Sequence, residues 1–330
     1  MKRGFLFPIV LVLLALVALL VLFPPPAGTT DTADPTPTVT ETPVPTPPPE
    51  TVPPATEPLP VPNQEALESP YAFVYNSGTD TMYYTYGGEN TRVSPASLTK
   101  LLTALVALEV LEESQVVTVG DEVKLIDPYS SVAYISKGQK LRVDMLVEGL
   151  LLQSGNDAAY TLAAAAGREL ANNPKLSAKG AVRRFVEHMN HRAMEMGLEN
   201  THYENPDGID GEDHYTCIRD LITVSVLAME NPTIRKYVGM DKEFVTYQSG
   251  ETITWSNTNY LLHEDHKYYC PQAVGLKTGT TTKAGNCLIS AFPKDGGYLI
   301  IGVLGSKTGD GRYKDTLLLY DLFKDYTPYK

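Results

Sequence analysis

The chain has 330 residues with 39 acidic and 27 basic side chains, a formal net charge of −12. This balance excludes the basic face that nucleic-acid binding needs, and the negative charge is read as solubility. The three cysteines, Cys217, Cys270 and Cys287, have neither CxxC nor Cys/His spacing, which argues against a disulfide framework and against a thiolate metal site. A buried free thiol is expected at Cys287 and a packing role for Cys217, and Cys270 with Cys287 is the one pair worth considering. No metal or cofactor is implied, and His188 and His191, three apart on a helix, are read as surface residues.

At the amino end, Lys2 and Arg3 precede an apolar run, Gly4–Phe23. As a helix that run spans about 30 Å, the thickness of a hydrocarbon core. Basic residues before it keep the amino terminus inside and send the rest outward. A cleaved signal has a shorter apolar core and a small-residue cleavage site, whereas Pro24, Pro25 and Pro26 follow this run at once, so residues 1–23 are read as an uncleaved anchor. Residues 24–63, rich in Pro and Thr with unpaired acids, form a disordered linker whose polyproline reach is on the order of 100 Å. Residues 64–330 are left for the globular part.

In that part, Tyr71–Tyr75 and Met82–Tyr86 alternate as strands around the turn residues Asn76 to Thr79, predicting a β-hairpin. The apolar run Leu98 to Leu111 predicts a buried helix. Val143 to Gly167 is mostly helical, and Val182 to Gly197 places Phe185, Met189 and Ala193 on one helical face. Asp220 to Glu230 is a further helix. Then Val274–Thr278, Asn286–Phe292 and Tyr298–Leu304 read as strands and Lys314–Phe323 as a final helix. The fold class that follows is mixed α/β, with a mainly antiparallel sheet flanked by helices and a helical subdomain.

Three short motifs carry chemistry. Ser97-Leu-Thr-Lys100 puts a serine and a lysine one helical turn apart. A serine hydroxyl attacks only when a base removes its proton, and burial among the leucines that follow would lower the Lys100 pKa enough to make it that base. Ser154-Gly-Asn156 can aim a hydroxyl and an amide into one cleft if the backbone turns at Gly155. Lys277-Thr-Gly279, followed by Thr280, places a cation and hydroxyls on a strand where glycine permits close approach by a ligand. A second tripeptide, Lys307-Thr-Gly309, runs into Asp310-Gly311 and reads as a turn.

Together these motifs, and the flanking Pro95–Ala104, Ser154–Ala159, Phe185–Asn190, Asn205-Pro-Asp-Gly208 and Gly275–Thr281, resemble the serine D-alanyl-D-alanine carboxypeptidases of the penicillin-binding protein type over roughly residues 69–325. The resemblance implies a β-lactamase/transpeptidase-like fold at the extracytoplasmic face of a bacterial membrane, or exported from it if the leader is cleaved. It implies a peptidoglycan stem peptide as substrate, β-lactams as inhibitors, and the membrane as partner through residues 1–23. By the same resemblance, Ser97 is the nucleophile, Lys100 the base and Ser154 a proton relay. Asn156, Lys277, Thr278, Gly279 and Thr280 bind substrate, and the N–H groups of Ser97 and Thr280 form the oxyanion hole. Many members add a C-terminal β-domain and an amphipathic helix; here anchoring is expected at the amino end instead.

Alternatives remain: a transpeptidase or β-lactamase of the same fold, or a penicillin sensor that does not turn over. A class A β-lactamase would need a Glu-x-x-x-Asn pair; Glu169 and Asn173 have that spacing but come only fifteen residues after Ser154, at a helix end.

Overall fold

The computed structural model describes residues 66–327. The expected anchor (1–23) and linker (24–63) lie outside the described residues. Among the described residues no helix is long and apolar enough to cross a membrane.

One five-stranded antiparallel sheet organises the fold. Strands β1 (Tyr71–Asn76) and β2 (Thr81–Tyr86) form the expected hairpin, with a bulge between Val74 and Tyr75. Asn76 closes its turn by accepting the N–H of Gly78 at 2.9 Å. Strands β7 (Leu276–Thr281), β8 (Gly285–Lys294) and β9 (Gly297–Ser306) complete the order β2-β1-β9-β8-β7, so β7 is an edge strand. Unlike a half-buried antiparallel sheet, this one is covered on both faces. Leu288, Phe292, Leu299, Ile301 and Val303 pack towards helix α7 (Gly311–Phe323) with Leu319 and Phe323. Cys287, Ile289, Ala291, Ile300 and Leu304 join the larger core under the helices. That is why β8 and β9 read as continuous apolar runs rather than alternating ones.

At the centre of the helical part lies α1 (Thr99–Val110), buried from Thr99 through Ala107. A helix apolar all round belongs inside. Around it pack α2 (Val143–Leu151), α3 (Asn156–Leu170), α4 (Ala178–Glu195), α5 (Ile218–Glu230) and the short α6 (Pro232–Val238). Ser177 caps α4 by accepting the Gly180 N–H at 3.2 Å, so this helix starts earlier than its apolar periodicity suggested. Phe185, Met189 and Ala193 are all buried on its inner face. The region expected to be mostly helical, 143–167, is two helices, broken between Leu151 and Asn156. Two small hairpins and α6 had no clear pattern in the sequence: β3 (Val116–Thr118) with β4 (Lys140–Arg142), and β5 (Lys242–Thr246) with β6 (Thr252–Ser256). All three cysteines are buried and unpaired.

Candidate active site

Ser97 occupies a single 3-10 turn, Ala96–Leu98, that runs directly into α1. Ala96 holds φ at 49°, a left-handed conformation that costs a residue with a Cβ on the order of 1–3 kcal/mol and persists only when its surroundings impose it. One turn on, Lys100 Nζ stands 2.7 Å from Ser97 Oγ and donates to the Asp207 carbonyl oxygen at 2.6 Å. Lys100 is fully buried. Desolvation pushes its pKa down to about 8, against the pull of Asp207 and Asp157.

The acceptor for Lys100 comes from the Asn205-Pro-Asp-Gly208 segment. Asn205 ties that turn together, accepting the Gly208 N–H at 2.7 Å and donating to the Ile209 carbonyl at 2.8 Å. Gly208, at φ +93°, lies against the Ala96 carbonyl with no room for a Cβ. The Asp207 side chain is itself buried, and desolvation raises its pKa although Lys100 opposes this; one carboxyl oxygen has no partner.

Ser154 and Asn156 stand in the break between α2 and α3. The backbone turns, but at Ser154 (φ 56°) rather than at Gly155, whose φ is −66°. Gly155 is needed for a different reason: a Cβ there would lie 2.7 Å from that of Ala133. The Asn156 N–H donates to the Ser131 carbonyl at 2.8 Å, while its side-chain oxygen is buried without a partner. Asp157 accepts the N–H groups of Ala133 and Ile135, each at 2.8 Å, and so fastens the facing loop to α3.

The third motif lies on β7. A Cβ at Gly279 would sit 3.0 Å from that of Ala96 and 3.1 Å from the Ser97 nitrogen, so glycine is what allows this edge strand to approach the nucleophile. Lys277 is buried and donates to the Thr278 carbonyl at 3.2 Å. Burial, then Lys100, then Arg312 hold its pKa well below the ordinary lysine value. The Thr278 and Thr258 hydroxyl oxygens are 2.5 Å apart, and Arg312 donates to the Thr280 hydroxyl at 3.1 Å.

Ser97, Asn156 and Thr280 open onto one cavity of about 320 Å³, which Asp127, Tyr129, Gly208 and Asp210 also line. Larger hollows lie elsewhere among the described residues. The one of about 780 Å³ contains Glu169 and Asn173, so that pair is not in the Ser97 cavity. The one of about 560 Å³ runs along α4. Lys307-Thr-Gly309 is a turn after β9, as expected.

The family model for D-alanyl-D-alanine carboxypeptidases matches residues 61–308. The chain belongs to that family. It is 34% identical to a D-alanyl-D-alanine carboxypeptidase of Streptomyces sp. strain K15, over 74% of this chain and 82% of that one. It is 28% identical to the carboxypeptidase DacF of Bacillus subtilis strain 168, over 72% of this chain and 58% of the relative. With DacA of Escherichia coli K12 the figures are 29%, 82% and 64%. The chain thus spans less than two thirds of the latter two relatives. Among solved structures, the Streptomyces K15 DD-transpeptidase superposes with a TM-score of 0.69 at 32% identity, covering 78% of this chain and 97% of that one. The fold is therefore the transpeptidase/β-lactamase-like one.

Four residues at or around the site escaped the sequence reading. Arg312 comes from the start of α7, beside the second Lys-Thr-Gly, and reaches β7 only through the sheet. Asp207 contributes a carbonyl, which no side-chain pattern reports. Thr258 meets Thr278 across a gap of twenty residues. His214 is buried under the nucleophile turn: its Nδ1 accepts the Glu204 N–H at 3.1 Å, so its Nε2–H donates to the Thr99 hydroxyl at 3.0 Å. The neighbouring Cys217 is packing, as expected, with burial pushing its thiol up to about 11.

Proposed function

We propose that the chain is a serine-type D-Ala-D-Ala carboxypeptidase that removes the terminal D-alanine of peptidoglycan stem peptides. The observation that carries this reading is the buried Lys100 ammonium held 2.7 Å from Ser97 Oγ, beside the edge strand β7. Lys277, Thr278 and Arg312 receive the terminal carboxylate. Ser97 Oγ bonds to the carbonyl carbon between the two D-alanines as neutral Lys100 takes its proton. The N–H groups of Ser97 and Thr280 hold the oxyanion. Collapse breaks the C–N bond, and a proton passes from Lys100 through Ser154 to the leaving amine. Water, deprotonated by the same lysine, then hydrolyses the ester and restores Ser97. Asn156 orients the peptide. β-Lactams, which imitate the terminal dipeptide, acylate Ser97 by the same first step.

Family members act on peptidoglycan outside the cytoplasm, and residues 1–23 would hold this one at the membrane with residues 24–63 as a tether. Full-length chain should stay with membranes through a high-salt wash and enter solution only with detergent; release by salt would sink the anchor.

The deciding assay follows free D-alanine from a peptide ending in Lys-D-Ala-D-Ala, with Ser97→Ala beside the wild type. Release by the wild type alone is expected. Penicillin labelling without any release would favour a sensor, and products joined to an added amine acceptor would favour a transpeptidase.

A further inference from the structure

The loop that follows β6 touches both sides of the site at Thr258. Its neighbours fix it in place. Asn257, only 2% exposed, donates through its side chain to the Met240 carbonyl at 2.9 Å and the Val238 carbonyl at 3.3 Å, and accepts the Asn259 N–H at 2.9 Å. Thr258 then reaches three parts of the site. Its N–H donates to the Leu152 carbonyl at 3.2 Å, two residues before Ser154. Its carbonyl accepts the Tyr313 hydroxyl at 2.9 Å, and Tyr313 follows Arg312 directly. Its hydroxyl meets that of Thr278 and no other group among the described residues, with the two oxygens 2.5 Å apart.

Each threonine hydroxyl holds one proton, so within the pair one donates and the other accepts. A carboxylate only accepts. Thr278 can therefore donate to a substrate carboxylate only while Thr258 donates to Thr278. In the opposite arrangement the Thr278 oxygen turns its lone pairs to the anion and repels it. The surroundings fit the first arrangement. Thr278 and Thr280 share a face of β7. Arg312 donates to the Thr280 hydroxyl at 3.1 Å, which sets its guanidinium on that face. Its Nε is buried with no partner among the described residues, a second donor left for an acceptor from outside.

We propose that Thr258 is a positioning residue: its hydroxyl donates to the Thr278 hydroxyl and so keeps the Thr278 proton for the terminal carboxylate of the substrate. The inference rests on the carboxypeptidase reading, in which Thr278 receives that carboxylate, and adds the residue that sets the direction of the bond. The Leu152 and Tyr313 contacts use the Thr258 backbone, so they survive a side-chain change, and loss of the hydroxyl removes the orientation alone. A hydrogen bond to a charged group that is lost in this way costs about tenfold in kcat/KM.

The test uses full-length protein in detergent and two peptides, one ending in Lys-D-Ala-D-Ala and the other in its C-terminal amide. Thr258→Val removes the hydroxyl at nearly constant shape. It should lower kcat/KM for the acid about tenfold, mostly through KM, and leave the amide within about twofold of the wild type. Thr258→Ser should restore the acid to within about twofold, and Thr258→Val should add no further loss in a Thr278→Val background. Equal losses on acid and amide would reduce Thr258 to a structural contact. An unchanged rate on the acid, or failure of serine to restore it, would also overturn the assignment. Thr258→Ala makes the same removal should valine not be accommodated. If the wild type cleaves neither peptide, the carboxypeptidase reading falls, and the orientation is read from labelling of Ser97 by penicillin and by its carboxyl methyl ester. A loss in Thr258→Val confined to the free acid then supports the proposal, and equal effects on acid and ester refute it. A wild type that neither cleaves nor is labelled refutes both readings.

Discussion

Ser97 and Lys100 show how burial converts an ordinary residue pair into a nucleophile and its base. With its pKa near 8, about a tenth of Lys100 is neutral at pH 7, and that fraction rises with pH through the titration. Only the neutral amine accepts the serine proton, so acylation should rise with pH and level off above about 8. Measured labelling rates that stay constant from pH 6 to 9 would contradict this. Lys100→Ala should slow acylation by about 10²–10⁴-fold, the usual worth of a general base, while circular dichroism stays that of the folded protein. Lys277 makes a complementary case. Burial and two nearby cations depress its charge, and an arriving carboxylate relieves that repulsion. A substrate ending in a C-terminal amide should therefore lose at least about tenfold in kcat/KM, since it leaves buried cationic groups unpaired.

At the scale of elements, function depends on β7 lying against the nucleophile turn, and Gly279 sets that distance. Gly279→Ala would press a methyl against Ala96 and the Ser97 nitrogen, moving the strand outward by a few tenths of an ångström. Acylation should fall by about 10–100-fold, as small misplacements at reacting centres do, while stability changes by about 1–3 kcal/mol. Penicillin labelling beside thermal melting separates the two effects, and unchanged labelling would show that the strand has slack. Elements with a strong internal pattern were legible in the sequence: β8 and β9 through their apolar runs, α1 through its unbroken burial, and all three motifs through their spacing. The break at residues 152–155 was not, because Leu150, Leu151 and Leu152 continue the apolar pattern while tertiary contacts around Ala133 and Ser131 impose the turn. The β5–β6 hairpin was missed because mostly solvent-exposed strands leave a weak alternation. Arg312 and Asp207 reach the site by contacts far apart in sequence, which local periodicity does not encode.

For the whole molecule, acid response is set by buried groups with opposed linkage. Burial lowers His214 from its ordinary 6.5 to about 4, with His202, Lys283 and Lys100 adding to the effect and Asp210 opposing it. Between those values the unfolded chain binds the proton and the folded one does not, so this group makes stability rise with pH. Its contribution is complete above pH 6.5 and lost as pH falls through 4. Burial raises Glu148 from 4.5 to about 7, helped by Glu243 and Asp144 and opposed by Lys236. There the folded chain holds the extra proton, so stability falls as pH rises from 4.5 to 7. In the shared window, pH 4.5 to 6.5, the two slopes cancel, each amounting to at most about 1.4 kcal/mol per pH unit. Removing one should expose the other. His214→Gln keeps a side chain able to accept from Glu204 and donate to Thr99, and its melting temperature should fall with rising pH relative to the wild type. Glu148→Gln should do the reverse. Melting curves across that window with slopes unchanged in both variants would show that neither group carries the acid response. His214 also braces Thr99 inside the nucleophile motif, and its protonation falls on Nδ1: the bond from the Glu204 N–H is lost while Nε2–H still donates to Thr99.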